Sequence, residues 1–259
     1  MKEAGLMMKI KHTSISTTLL VWIGMLGFML LMSRILVSCH LNLNPRDVLE
    51  DGLSLLVLAG LLHFWLDTPL FWRPRISFPR QLLINLLPLF YLGFLTLSVS
   101  LRGPLSLQHT LTGLAVAPVV ALYEETLFRG YILESFLRLS KFSNVLPAVF
   151  WSSLLFGLSH LMNLARQDLP TTLYQVGFTF GLGTLYAAIY LRTGSLWWPI
   201  VLHFANDFIV LAGTGSVVQV APNLFTISFS AIEFLVELAT VFWLLRPKQR
   251  KNIATHFQL

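Results

Sequence analysis

The stretch Ser14–Ser33, SISTTLLVWIGMLGFMLLMS, runs for twenty residues without a charged side chain. A hydrocarbon core about 30 Å thick requires a helix of about 20 apolar residues. Comparable runs recur along the chain, at about 14–33, 52–66, 82–101, 110–138, 144–164, 171–191, 195–213 and 224–245. Composition agrees: 55% of residues are hydrophobic, with 20 Phe and 7 Trp, and only 12% are charged. Soluble domains carry roughly 25% charge. These features predict an all-α, polytopic transmembrane helical bundle of about eight spans. In 259 residues such a bundle leaves no room for a separate soluble domain, so residues 1–259 read as a single membrane domain.

Charge placement sets the expected orientation. With the N-terminus inside, the cytoplasmic segments hold Lys2, Lys9 and Lys11, then Arg73, Arg75 and Arg80, then Arg138, Lys141 and Arg192, and finally Arg246, Lys248, Arg250 and Lys251. The opposite side holds Arg34, Arg46, Arg102 and Arg166. Thirteen against four predicts that both termini are cytoplasmic. The net charge of +6 is explained the same way, so a nucleic-acid partner is not expected. Leu36–Cys39 resembles a lipobox, but the preceding stretch has the length of a span and Arg34 interrupts it. An uncleaved first helix is therefore expected. The single Cys39 excludes an internal disulfide and a cysteine-rich metal site. Trp72, Trp197, Trp198 and Trp243 fall near predicted span ends, where interfacial anchors are expected.

Ionisable groups at membrane depth cost at least about 2.5 kcal/mol each, so each needs a partner, water or a task. Within Tyr123–Tyr131, YEETLFRGY, Glu125 and Arg129 are spaced i,i+4 with the acid first, the favourable order for an ion pair. Glu124 lies about 100° further around the helix. It is left free to face a cavity. Phe156-Gly-Leu-Ser-His160 places a histidine beside small residues that permit close helix approach. His203, Asn206 and Asp207 share one helix face, which either lines a wet cavity or bonds another helix. Glu233 and Glu237 are like charges at i,i+4, for which a structural or cavity-lining role is expected. His63 reads as an ordinary packing residue.

Together these are the parts of a water-mediated hydrolase. Glu124 would act as general base on a water, and His160 would orient that water or protonate the leaving amine. His203 with Asn206 or Asp207 would bind the developing oxyanion. An ionised carboxylate only accepts, so Asn206, or His203 oriented by Asp207, is the donor. No serine sits in a nucleophile elbow. A zinc variant held by Glu124, His160 and His203 is the alternative, although the sequence has no H-E-x-x-H. No cofactor is the primary expectation.

Glu124-Glu125-x-x-x-Arg129, Phe156-x-x-x-His160 and His203-x-x-x-Asp207, in that order on separate spans, resemble the motifs of the CAAX protease and bacteriocin-processing family of intramembrane endopeptidases. The resemblance covers roughly residues 110–210 and implies a catalytic core there. It implies peptide-bond hydrolysis in a membrane-associated protein or peptide: C-terminal processing, bacteriocin maturation or cleavage of sorting segments. It also implies that Glu124, His160, His203 and Asp207 are catalytic, with Glu125, Arg129, Asn206 and Phe156 in support. In the family the last motif position is Asn or Asp; here Asp207 follows Asn206, which leaves the oxyanion donor open. Two other readings remain at this point: a non-catalytic receptor or self-immunity factor on the same fold, and a transporter using the buried acids as a proton relay. Against the transporter stands the lack of matching broken helices in two halves. Small loops and no visible organelle signal point to a bacterial cytoplasmic membrane.

Overall fold

The computed structural model describes residues 14–40, 43–66, 68–139, 145–215 and 221–257. Lys2, Lys9, Lys11 and Lys141, used above for orientation, lie outside these residues. Every regular element described is helical. The first, α1, spans Ile15–Ser38; the Ser14 hydroxyl starts it by accepting from the Thr17 backbone N–H at 3.0 Å. Its apolar side chains are mostly exposed, as lipid contact demands, and the free Cys39 follows it, also exposed. Next comes α2, Leu43–Leu61, which runs on into a π-helical turn, Leu62–Leu66. The expected start at residue 52 is therefore too late. Arg46, Asp47, Glu50 and Asp51 are helical and buried instead of lying in a loop. His63 is also corrected, since it is exposed on the π turn beside Phe64.

Two short helices, α3 (Phe78–Ile84) and α4 (Leu86–Ser100), meet at 64°. The bend falls at Asn85, whose side chain donates to the Gln81 carbonyl at 2.8 Å. Pro88 sits in the first turn of α4, where a missing N–H costs nothing. The span expected at 82–101 is thus a broken one. A long rod follows, made of α5 (Leu107–Glu125), a π-helical stretch (Thr126–Leu133) and α6 (Glu134–Leu139). Beyond it come α7 (Leu146–Ser159), a 3-10 segment (His160–Ala165) and α8 (Leu169–Thr193). The chain closes with α9 (Trp197–Thr214), α10 (Leu224–Leu244) and α11 (Pro247–Phe257).

Five helices among the described residues are long and apolar enough to cross a membrane, or six if the bent α3–α4 pair counts as one. Eight were expected from apolar runs. The two that drop out, α8 and α9, exist as helices at the expected places. They are wrapped by protein: α8 buries Thr171, Thr172, Gln175 and Thr184, and α9 buries His203 and Asn206. Helices surrounded by other helices need not present apolar side chains to lipid, so they can carry these buried polar groups.

The inner helices are brought together by small residues. Between α5 and α9, Gly113, Val116 and Ala117 meet Phe208 and Leu211. Between α7 and α8, a Cβ on Gly157 would stand 2.8 Å from the Val176 carbonyl oxygen, and one on Gly183 would stand 3.2 Å from the Phe156 ring. Only glycine permits that approach. Asp168 caps α8, accepting from the Thr171 N–H at 2.7 Å, and the Thr171 hydrogen bonds hold its carboxyl below the usual carboxylate range. The α8–α9 turn is pinned by the extended segment before α3: Leu196 N–H donates to the Phe71 carbonyl at 2.8 Å, and Ser195 Oγ to the Trp72 carbonyl at 2.6 Å.

Candidate active site

The adjacent glutamates at the end of α5 have different surroundings. Glu125 is fully buried, and its Oε1 accepts from Arg129 Nη1 at 2.9 Å. The pair straddles the junction where α-helix becomes π-helix, a distortion often found at functional sites. Arg129 also donates to the Gly183 carbonyl at 3.2 Å, and its guanidinium lies 4.6 Å from the centre of the Phe156 ring. Gly183 thus serves twice, since it lets α8 approach α7 and offers its carbonyl to Arg129. The Phe156 ring also packs edge-on against His160 at 5.2 Å and against His203 at 6.1 Å.

From α9, His203 reaches across to α5. Its Nδ1 lies 2.8 Å from Glu125 Oε1, and its Nε2 lies 3.3 Å from Asp207 Oδ2 and 3.6 Å from Glu124 Oε2. A carboxylate can only accept, so Nδ1 carries a proton toward Glu125. The oxygen that binds Arg129 therefore also fixes the imidazole. One turn along α9, Asn206 donates to Asp207 Oδ1 at 3.1 Å and keeps a buried, unpartnered Oδ1. His160 closes α7; its Nδ1 is 3.1 Å from the Phe156 carbonyl, which can only accept, so the Nε2 lone pair is left available.

Glu124, Phe156, His160, His203, Asn206 and Asp207 line one cavity of about 270 Å³. Glu125 and Arg129 stand behind its wall. All eight residues singled out from the sequence are brought to this place. Glu233 and Glu237 are not: they do not line the cavity, and Glu237 is buried beside Gly181 on α8. Among the described residues no three His, Cys, Asp or Glu side chains converge as a metal ligand set. Glu124, His160 and His203 all line this cavity, with His203 Nε2 3.6 Å from Glu124 Oε2.

The motif order, the Glu125–Arg129 lock and the shared cavity can be set beside known families. Residues 106–209 match the family model of the type II CAAX prenyl endopeptidase Rce1-like proteins. These residues are similar to that family. The match runs from the residue before α5 into the last turns of α9 and includes all eight residues. No curated protein sequence and no solved structure matches the chain.

The cavity is completed by residues outside the matched segment. Leu26, Met29 and Ser33 of α1 form part of its wall, and Asp47, Glu50 and Asp51 of α2 another. Arg166, at the end of the 3-10 segment, pairs with Asp47 at 3.1 Å and approaches Glu50 at 3.8 Å. Sequence reasoning missed this polar cluster. Its signal was available in Arg46–Asp51, RDVLED, where the acids recur at helical spacing directly before an apolar run. Reading the segment as a loop hid it.

Proposed function

We propose that the protein is an intramembrane endopeptidase that hydrolyses a peptide bond in a membrane-associated protein or peptide with water activated by Glu124. The observation that carries the reading is the division of labour between the adjacent glutamates. Glu125 is held by Arg129 and His203, whereas Glu124 lines the cavity with its nearest cationic neighbour at 3.6 Å. A half-buried carboxylate that is not neutralised by a close partner is suited to general-base work.

In the proposed reaction a water donates a hydrogen bond to Glu124 and another to Nε2 of His160. Glu124 takes a proton as the water oxygen attacks the carbonyl carbon. The negative charge that forms on the carbonyl oxygen is stabilised by the Nε2–H of His203, whose ring Glu125 holds at Nδ1, and by the second amide N–H of Asn206. When the C–N bond breaks, the proton held by Glu124 passes to the leaving nitrogen. Phe156 and Arg129 keep both histidines in register. We also read the chain as crossing the membrane eight times, with α8 and α9 as protein-wrapped spans and both termini cytoplasmic. A bacterial cytoplasmic membrane suits this reading.

The test compares the C-termini of membrane proteins in cells carrying wild type with those in cells carrying Glu124→Ala. New termini present only with wild type are expected. Identical termini at equal protein levels would overturn the protease reading and favour a non-catalytic receptor or immunity factor.

A further inference from the structure

Asp51 is the one acid of the α2 cluster without a counterpart. Asp47 is paired with Arg166 at 3.1 Å and lies 3.8 Å from Arg46, and Glu50 lies 3.8 Å from Arg166. Among the described residues Asp51 makes no hydrogen bond or ion pair, although only 7% of its surface is exposed and it lines the catalytic cavity. The packing of α2 on α5 sets its position: the neighbouring Gly52 lies against Val119 of α5.

The charges facing Asp51 do not neutralise it. Glu124 on α5 and Glu50 and Asp47 on α2 surround it with like charge, and Arg166, which attracts it, is already engaged by Asp47 and Glu50. Tyr123, behind it on α5, has its hydroxyl buried and unpartnered. A carboxyl group enclosed in this way lacks a cation of its own, and the cavity is where a peptide must lie to reach Glu124. We propose that Asp51 is a specificity-determining residue whose carboxylate receives a cationic side chain, a lysine or arginine, of the substrate. The proposal rests on the protease reading above. It names a substrate class: membrane-associated peptides carrying a basic residue close to the scissile bond.

The experiment uses the full chain in nanodiscs and quenched-fluorescent peptides in which each position near a cleaved bond is lysine or norleucine. Norleucine keeps the aliphatic stem and removes the ammonium. At one position, wild type should cleave the lysine peptide about tenfold or more faster in kcat/KM, as a charge-assisted hydrogen bond implies. In Asp51→Asn that ratio should collapse toward one, and in Asp51→Glu it should be retained. The same peptides are bound to Glu124→Gln protein with and without Asp51→Asn, so that the preference is read in Kd without turnover. If wild type cleaves none of the peptides but Glu124→Gln binds lysine over norleucine through Asp51, the subsite stands and the protease reading fails. An equal lysine preference with and without Asp51→Asn, or no preference at any position, overturns the subsite. So does an Asp51→Asn variant that slows both peptides equally and shifts the pH profile, because Asp51 would then act on Glu124 and not on the substrate. Should Asp51→Asn fail to fold, Asp51→Ser replaces it in both arms.

Discussion

Replacing each adjacent glutamate by glutamine should separate their roles, because the two carboxylates are held so differently. Glu125→Gln leaves Arg129 buried with no carboxylate, and removes the anion that accepts from His203 Nδ1 at 2.8 Å. Breaking a buried ion pair from one side costs about 3–5 kcal/mol, since the remaining charge stays desolvated. Glu124→Gln removes a cavity-lining group whose closest charged neighbour is 3.6 Å away, so about 1 kcal/mol or less is expected. For a chain of this size, 1 kcal/mol shifts Tm by about 2–4 °C. Thermal unfolding followed by tryptophan fluorescence in detergent micelles should therefore lower Tm by roughly 6–20 °C for Glu125→Gln and by no more than about 4 °C for Glu124→Gln. Activity should be lost in both, in one through a disordered site and in the other through a missing base. Adding Arg129→Met to Glu125→Gln should recover stability, since the stranded cation is removed with its partner. Equal Tm values for the two single variants would refute the assignment of Glu125 as the lock. A double variant less stable than Glu125→Gln would do the same.

Three further predictions follow from other contacts. Gly157→Val should destabilise the α7–α8 pairing by about 1–3 kcal/mol, because its Cβ would meet the Val176 carbonyl oxygen at 2.8 Å; a Tm unchanged from wild type would contradict that packing. Trp22 Nε1 donates to Ser159 Oγ at 2.9 Å, next to His160, so Trp22→Phe should loosen α1 by about 1 kcal/mol. A cysteine placed at Leu26 in the cavity wall should then react faster with a maleimide than in the Trp22 background. On α11, burial and the nearby Arg75 hold His256 below the ordinary histidine range. The unfolded segment then binds more protons than the docked one below about pH 6.5, so docking should weaken as pH falls through that value. Hydrogen exchange of residues 247–257 at pH 7.5 and 5.5 reads this directly, and His256→Phe should flatten the difference.

Much of the fold and the site could be read from local pattern. Twenty uncharged residues in Ser14–Ser33 admit little but a membrane helix, and α1 covers that stretch. The i,i+4 spacing of Glu125 and Arg129 predicted their ion pair, because both partners lie on one continuous helical rod and their geometry needs no other element. His160, His203 and Asp207 stood out because polar groups are costly among apolar neighbours. That cost is a property of composition and can be judged without knowing what packs where.

The remainder depended on contacts between elements far apart in the chain. Apolar runs alone cannot tell a lipid-facing helix from one wrapped by protein, so α8 and α9 read as ordinary spans although they bury Thr171, Thr172, Gln175, His203 and Asn206. Nor could such runs place Arg46, Asp47, Glu50 and Asp51 inside, because their burial depends on Arg166, more than a hundred residues away, and on α2 lying against α5. The link from His203 to Glu125, and the approach of α1 to the cavity, are likewise made by packing. By itself the sequence determined which side chains are too polar to be idle in a membrane. Only the tertiary structure decided which of them meet, because an ion pair or a cavity wall is a relation across space that helical spacing encodes only within a single helix.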